Sequence, residues 1–390
     1  MTSVSAGVLD SVRQASLVVV GCGLFGLTIA ERCASVLGLP VVVLDRRLHP
    51  GGNSYSSADP ATGIDVHHYG THIFHTSNAR VWEYVSRFTE FNTYEHRVMT
   101  QKAGRAHSLP VNLATFASVF GRPLSAHEAR ALLDAETAPY AHEPQTSLEA
   151  RALALVGPTL YEALYRGYTA KQWQTDPREL DPDIISRLPV RFTHDSRYFT
   201  DTWQGIPLEG YGRWIERMAD HPLIHVALGV DYFDVRPLVN LTAPLVYTGP
   251  LDRYFDHSLG PLGWRTLDFH TEVLPTRDFQ GAAVVNFADE SVPYTRVHEY
   301  RHLHPERQYS SPSTVVSHEF SRFARDADEP FYPINSAGDR RLLDGYRSLA
   351  ASTPGVIFGG RLGSYLYLDM HMAVASALTT FDQEVAPLLR

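Results

Sequence analysis

Residues 17–45 read LVVVGCGLFGLTIAERCASVLGLPVVVLD, and this stretch decides the fold. A short apolar run, 17–20, enters the turn Gly21-x-Gly23-x-x-Gly26; a helix-like segment follows, and a second apolar run, 41–44, ends on Asp45. The order is strand, glycine turn, helix, strand, acid. Gly21 permits the tight turn, Gly23 lets the backbone approach a pyrophosphate, and Gly26 lets the helix pack closely on the sheet. The helix N-terminus then faces the phosphate charge. Leu24 and Phe25 belong to the same candidate cofactor loop. Asp45, roughly twenty residues past the glycines, is placed to accept from a ribose hydroxyl. The glycine pattern alone also occurs in ordinary βαβ units, but the flanking β-branched runs and the closing acid favour a dinucleotide site. Asp rather than Arg at the second strand's end argues for FAD or NAD over NADP.

The chain has 390 residues, enough for two or three structural units around a large core. Its 44% hydrophobic and 20% charged content is ordinary for a soluble globular protein. A formal net charge of -9 argues against nonspecific nucleic-acid binding. The two cysteines, Cys22 and Cys33, form no disulfide framework or zinc pattern, which suits a reducing compartment. Residues 1–15 carry no apolar signal core, and no stretch approaches the ~18 apolar residues of a membrane span. A soluble cytoplasmic protein without membrane contact is expected.

After Asp45 come Arg46 and the paired glycines of 51–55, GGNSY. Gly52 and Asn53 there would let backbone lie against a bulky cofactor. Residues 67–76, HHYGTHIFHT, hold four histidines in ten positions. Metal binding is the tempting reading, but Asp, Glu or Cys at ligand spacing is missing. The interleaved aromatics suit a cofactor-lining segment, and no metal is expected. Residues 96–110 read as a hairpin turning at Lys102-Ala103-Gly104-Arg105. From 113 to about 188, Ala, Leu, Glu and Arg dominate with helical spacing, as in 129–138 and 148–155, which predicts an inserted bundle of four to six helices. Segments 224–228 and 244–249 return to sheet-strand patterning. Segments 282–287, 294–300 and 314–320 alternate apolar and polar residues with no crossover helices, which predicts an antiparallel sheet. A strand at 356–361 ends in Gly-Gly-Arg, and an apolar helix, 373–378, follows Asp369-Met370.

The fingerprint, GGNSY, HYGTHIFHT, YTAKQW, PVRFT, YFTDTWQGIP, YTGPLDRYFD, VPYTR and FGGRLGSYLYLDMH together resemble the bacterial UDP-galactopyranose mutases, over about residues 16 to 380. The resemblance implies an α/β fold: a Rossmann-like FAD-binding domain with an inserted helical bundle and an antiparallel β-sheet domain. The expected partition is 16–95, 208–255 and 333–390 for the FAD domain, 112–188 for the bundle, and 96–111, 189–207 and 256–332 for the sheet domain. It also implies a flavoenzyme without net redox, active when FAD is reduced, acting on a nucleotide-sugar substrate as a homodimer. Flavin N5 would attack the sugar's anomeric carbon and displace UDP. The adduct would open, the ring would close through another hydroxyl, and UDP would return, a covalent route that splits one hard rearrangement into easier steps.

Carried over residue by residue, the resemblance places Arg187 and Arg296 on the diphosphate, where fixed cationic forks suit the charge better than Lys would. Arg265 and Arg191 are weaker candidates, for which a structural role competes equally. Tyr198, Tyr332 and Tyr367 match tyrosines that donate to phosphate or line the nucleotide site, with Phe199 adjacent. Tyr168, Thr169 and Trp173 match the segment by the uracil and sugar. His72 and His75 match catalytic residues beside the flavin, and Arg361, Asp369 and Met370 match the cofactor shell. The helix starting near Met370 would point its N-terminus at flavin O2. Three positions depart from the pattern: His96 stands where Asn is usual, Gln174 where Gly is usual, and Ser364 where Glu is usual. His96 puts the sugar's identity in question. The leading reading is therefore UDP-galactopyranose to UDP-galactofuranose interconversion. The alternatives are a mutase for a different nucleotide-linked hexose or 6-deoxyhexose, an amine-oxidase-type flavin oxidoreductase, and a flavin- or nucleotide-binding protein without turnover.

Overall fold

The computed structural model describes residues 4–185, 189–239, 242–325 and 327–390. The first strand, Leu17–Val20, lies at the centre of a five-stranded parallel sheet. It pairs with Val41–Asp45 on one side and Leu245–Tyr247 on the other, with Val18 opposite both Val42 and Leu245. Ile224–Leu228 and Val356–Phe358 form the two edges. The central strands are covered on both faces, which is why they read as unbroken apolar runs rather than alternating ones. The helix Leu24–Arg32 leaves the glycine turn, runs into a π-turn over Cys33–Leu37, and stops at Gly38 in a left-handed conformation (φ 68°). Met370–Thr380 and Tyr211–Ala219 pack against it, so segments from three distant parts of the chain build this one layer.

The bundle contains the α-helices Leu113–Phe120, Ala126–Thr137, Leu148–Leu160 and Arg166–Trp173. Asn112 and Ser125 close reciprocal capping boxes at the first two, and Ser147 caps the third. Four helices fall within the range expected.

The second sheet has seven strands, in the order Tyr332–Pro333, Trp264–Leu274, Thr314–Phe323, Arg296–Glu299, Val284–Phe287, Val98–Lys102 and Arg105–Leu109. The predicted hairpin is its outer pair, turning at Ala103 and Gly104. One part of the expectation is corrected: the sheet is not wholly antiparallel. Val284–Phe287 runs parallel to Val98–Lys102, with Val284 opposite Val98. The partner strand arrives from far upstream, through the whole bundle, so no local crossover signal marks the join. Among the described residues, no helix is long and apolar enough to cross a membrane.

Candidate active site

All five parallel strands end at one cleft of about 410 Å³, within the range of small-molecule sites. Its near wall is built from the residues just past each strand, among them Gly21, Asp45, Val230, Thr248 and Arg361. Ligands of open α/β sheets bind at these carboxyl ends.

The near wall fits a dinucleotide. A Cβ on Gly21 (φ 105°) would lie 1.9 Å from Thr248 Oγ1, and one on Gly26 would lie 2.1 Å from the Gly21 carbonyl oxygen. At Gly23 a Cβ would meet nothing within 4 Å, so this backbone faces open space. The helix Leu24–Arg32 starts there without a side-chain cap, leaving its first N–H groups free for an anion. The paired glycines reach the same place, since a Cβ on Gly52 would sit 3.4 Å from Gly23 Cα. Asp45 has a task the sequence reading did not assign. Its Oδ2 accepts from the Cys22 N–H at 2.7 Å and its Oδ1 from the Arg47 N–H at 2.9 Å.

Guanidinium groups gather along this wall. Arg46 and Arg47 share the Glu329 carboxylate, each at 2.6 Å, and Arg47 also donates to Asn53 Oδ1 at 2.9 Å. Arg47 Nη1 is buried without a partner. Arg361 donates to the Phe331 and Pro330 carbonyls and meets no carboxylate among the described residues. Burial pulls its pKa down to about 10. The helix Met370–Thr380 begins at Asp369 with no side-chain cap, and Asp369 and Met370 both line the cleft. Unfilled donors, a guanidinium that meets no carboxylate and an open glycine turn are what a pyrophosphate requires.

The far wall belongs to the second sheet and carries the second predicted group. Arg296 Nε lies 3.3 Å from Glu319 Oε1, and its Nη2 donates to the Tyr168 hydroxyl. Burial opposes the Arg296 charge, but Glu319 and Tyr168 outweigh it and hold its pKa well above the usual value. Glu319 is only 1% exposed. Burial alone would raise its carboxyl; Arg296 and His298 reverse that and keep it ionised. Tyr198, Tyr332 and Tyr367 line the cleft, with the last two stacked at 5.9 Å. Burial raises all three phenols, so they keep their protons and can donate.

Three histidines complete the cleft. His72 Nδ1 donates to the Gly70 carbonyl at 2.7 Å, and burial lowers its pKa to about 4. Its Nε2 is therefore a bare acceptor. His75 stacks on Phe199 at 3.7 Å, with Nδ1 2.9 Å from Asp201 Oδ2. His96 is neutral, its pKa pushed by burial to about 3, and its Nδ1 lies 3.1 Å from the Tyr94 hydroxyl. His75, Asp369 and His371 bring three potential ligand atoms within 4.8 Å of one another, but His75 is already committed through Nδ1 to Asp201.

Other predicted residues lie elsewhere. Tyr168, Thr169, Trp173 and Arg265 do not line the cleft. Tyr168 reaches it through Arg296, while Thr169 is buried in its helix. Trp173 ends that helix, and Gln174 follows in a left-handed conformation (φ 49°). Arg265, 1% exposed, donates to Ser321 Oγ at 3.0 Å and to Gln174 Oε1 at 3.4 Å, and lies over the Phe323 ring. It supports the end of the Trp173 helix from behind. Arg191 donates to the Asp195 and Arg197 carbonyls, a structural role. Arg187 lies outside the described residues. Sequence reasoning missed Thr71, Asn286 and Glu319, all on the cleft, and His298 behind it. Asn286 Oδ1 is buried with no partner.

Comparison with known proteins agrees with this geometry. The family profile for UDP-galactopyranose mutase matches residues 163–367, and that for an NAD(P)-binding Rossmann-like domain matches 19–88. A probable UDP-galactopyranose mutase from Klebsiella pneumoniae is 42% identical over 94% of both chains. A dTDP-fucopyranose mutase from Escherichia coli is 37% identical over 93% of this chain and 96% of its own. A crystal structure of reduced UDP-galactopyranose mutase superposes with a TM-score of 0.74 at 14% identity, covering 96% of this chain and 94% of that one. A protoporphyrinogen oxidase-like structure from Exiguobacterium reaches 0.61 over 96% of this chain and 99% of its own. The oxidase likeness is one of fold; the sequence relationship is to the mutases, and this chain belongs to the UDP-galactopyranose mutase family.

Proposed function

We propose that this protein is an FAD-dependent isomerase that interconverts UDP-galactopyranose and UDP-galactofuranose. The observation that carries the reading is the pairing of two anion sites in one cleft. The glycine turn with Arg361 forms one, and Arg296 with its tyrosines forms the other on a different sheet. An amine-oxidase-type site has no need for the second.

When bound and reduced, the flavin supplies the nucleophile for the anomeric carbon. The chain's own residues do the rest. Gly21, Gly23, Gly26, Gly52, Asn53, Asp45 and Arg361 hold the dinucleotide. Arg296, fixed by Glu319 and Tyr168, receives charge as the diphosphate departs and keeps it beside the sugar for its return. Tyr198 and Tyr332 donate hydrogen bonds to phosphate oxygens, Tyr367 lines the nucleotide site, and Arg187 is assigned to the same anion. His72 Nε2 accepts a hydrogen bond in the cleft. Trp173, on the helix ending at Gln174, would close over the nucleotide and exclude water.

Sugar choice falls to the pocket around His96. The Tyr94 phenol, kept protonated by burial, can donate to His96 Nδ1, which leaves Nε2–H as a donor. The unpaired Asn286 Oδ1, elsewhere on the cleft, adds an acceptor, so the lining holds both kinds of partner for sugar hydroxyls. That favours a hexose with a full set of hydroxyls over the 6-deoxy sugar of the fucopyranose mutase relative. A homodimer in the cytoplasm is the expected state, and sedimentation equilibrium tests the first part.

The test is incubation of flavin-loaded protein with UDP-galactofuranose, with and without dithionite, and in parallel with dTDP-fucofuranose. UDP-galactopyranose formed only under reduction supports the assignment. Faster turnover of the deoxy sugar would overturn the galactose reading, and turnover without reduction would overturn the flavin role.

A further inference from the structure

Behind the cleft, one buried histidine joins its two walls. His298 is 1% exposed and makes two side-chain hydrogen bonds in opposite directions. Its Nε2 lies 3.1 Å from Glu319 Oε2, and Glu319 carries the ion pair to Arg296. Its Nδ1 lies 2.7 Å from the Thr71 hydroxyl, on the loop between the short strands Asp65–His67 and Phe74–Thr76, and Thr71 lines the cleft. Gly70 seats that loop: with φ 91°, a Cβ there would press within 3.3 Å of Phe269 and 3.8 Å of Glu319 Oε2.

The proton positions follow from chemistry. Arg296 keeps Glu319 ionised against the effect of burial, so its carboxylate only accepts. The Nε2–H must therefore donate to it. Burial, reinforced by the nearby Arg296 and opposed by Glu319, lowers the His298 pKa, so the ring is neutral and Nδ1 carries no proton. The Thr71 hydroxyl must donate to Nδ1 and can offer only lone pairs to the cleft. A neutral histidine accepts from Thr71 through one ring nitrogen while it donates to Glu319 through the other.

We infer that His298 is a positioning residue that fixes Thr71 as an acceptor facing the flavin while holding Glu319 square on the diphosphate-gripping Arg296. The two functions separate by ring nitrogen. Asparagine places its amide near Nδ1, and glutamine places its amide near Nε2. His298→Asn keeps the Thr71 link and drops the Glu319 link; His298→Gln does the reverse. The inference rests on the flavin and UDP sites proposed above, and the wild-type protein tests those first.

The experiment measures two quantities on flavin-loaded protein: UDP affinity by calorimetry and the flavin reduction potential by dye equilibration. His298→Asn should weaken UDP binding by about tenfold and leave the potential at the wild-type value. His298→Gln should leave UDP binding within about twofold and shift the potential. Thr71→Val should shift the potential too, and the Thr71→Val/His298→Gln pair should shift it no further than the larger single change, since both break one link. Additive shifts, or Asn and Gln variants that move both readouts alike, would overturn the inference. Wild-type protein that takes up no flavin or UDP would instead overturn the functional reading, and the inference with it.

Discussion

Asp45 reaches back across the glycine turn to the Cys22 N–H at 2.7 Å, so the acid closing the second strand also holds the loop after the first. Charge-assisted hydrogen bonds of this kind contribute roughly 1.5–3 kcal/mol each. Asp45→Ala removes this one and the bond to the Arg47 N–H. The variant should lose about 2 kcal/mol or more of stability in urea and purify with less flavin per chain. Full flavin occupancy in Asp45→Ala would show that the turn holds its shape unaided.

Gly26 is a packing glycine. A Cβ there would meet the Gly21 carbonyl oxygen at 2.1 Å and Val19 Cγ1 at 3.0 Å, and the backbone oxygen cannot yield without moving the turn itself. Gly26→Ala should cost about 2 kcal/mol or more and abolish flavin uptake. Gly7→Ala, in the helix Ala6–Gln14 and with nothing within 4 Å of the new Cβ, is the control that should leave flavin uptake unchanged and not lower stability. Melting temperature and the flavin absorbance ratio read both effects.

These two positions show what the sequence makes legible. Glycines 21, 23 and 26 announce their roles because backbone geometry allows few other residues there. The near wall follows from them, down to the Gly-Gly pair at 51 and 52. The far wall is harder to read, because its chemistry depends on which strands meet. Val284–Phe287 takes a parallel partner from before the bundle, and nothing within either segment names the other. Glu319 left a local trace all the same. It sits on an alternating strand at the inward parity shared with Ser317 and Ser321, both buried, and a carboxylate at such a position needs a cation. His298, beside Arg296 in the neighbouring strand, answers to the same logic. Arg265 stays ambiguous in sequence for the converse reason, since an arginine that serves as scaffold looks there like one that grips a ligand; its bonds to Ser321 and Gln174 fit the structural alternative.

The buried histidines give a stability profile with a defined sign. His67 and His96 are 1% and 6% exposed, and burial lowers each pKa to about 3, against some opposition from Asp65 at His67. In the unfolded chain both titrate near the ordinary value of about 6.5. Between those limits the unfolded state binds protons that the folded state refuses. Stability is therefore complete above about pH 6.5 and falls on acidification, by roughly 2–3 kcal/mol for the pair between pH 8 and 5.5. His302, raised chiefly by its hydrogen bond to Glu299, works in the opposite direction and offsets part of this. His67→Asn isolates the effect: Asn can still accept from the His72 N–H, as His67 Nδ1 does at 3.1 Å, yet cannot titrate. Urea midpoints at the two pH values should differ less in this variant than in the wild type, by about half of the pair's effect. An unchanged difference would mean that His67 protonates freely in the folded protein.

Arg296 and Glu319 allow catalysis and stability to be separated. Arg296→Ala removes the cation proposed to keep the diphosphate and also strands the Glu319 carboxylate, 1% exposed, with His298 and Thr295 as its remaining side-chain partners. Breaking a buried pair from one side costs about 3–5 kcal/mol, and removing a fixed donor to a developing charge costs on the order of 10²–10³ in kcat. Glu319→Gln placed on top of Arg296→Ala should restore much of the stability, because the stranded charge is gone. It should restore none of the turnover, because the Arg296 guanidinium is still missing from the proposed diphosphate site. Urea denaturation and the reduced-enzyme assay with UDP-galactofuranose, run on the wild type and these two variants, read the two effects apart. Recovery of turnover in the double variant would mean that Arg296 serves the fold and that the diphosphate is held elsewhere in the cleft.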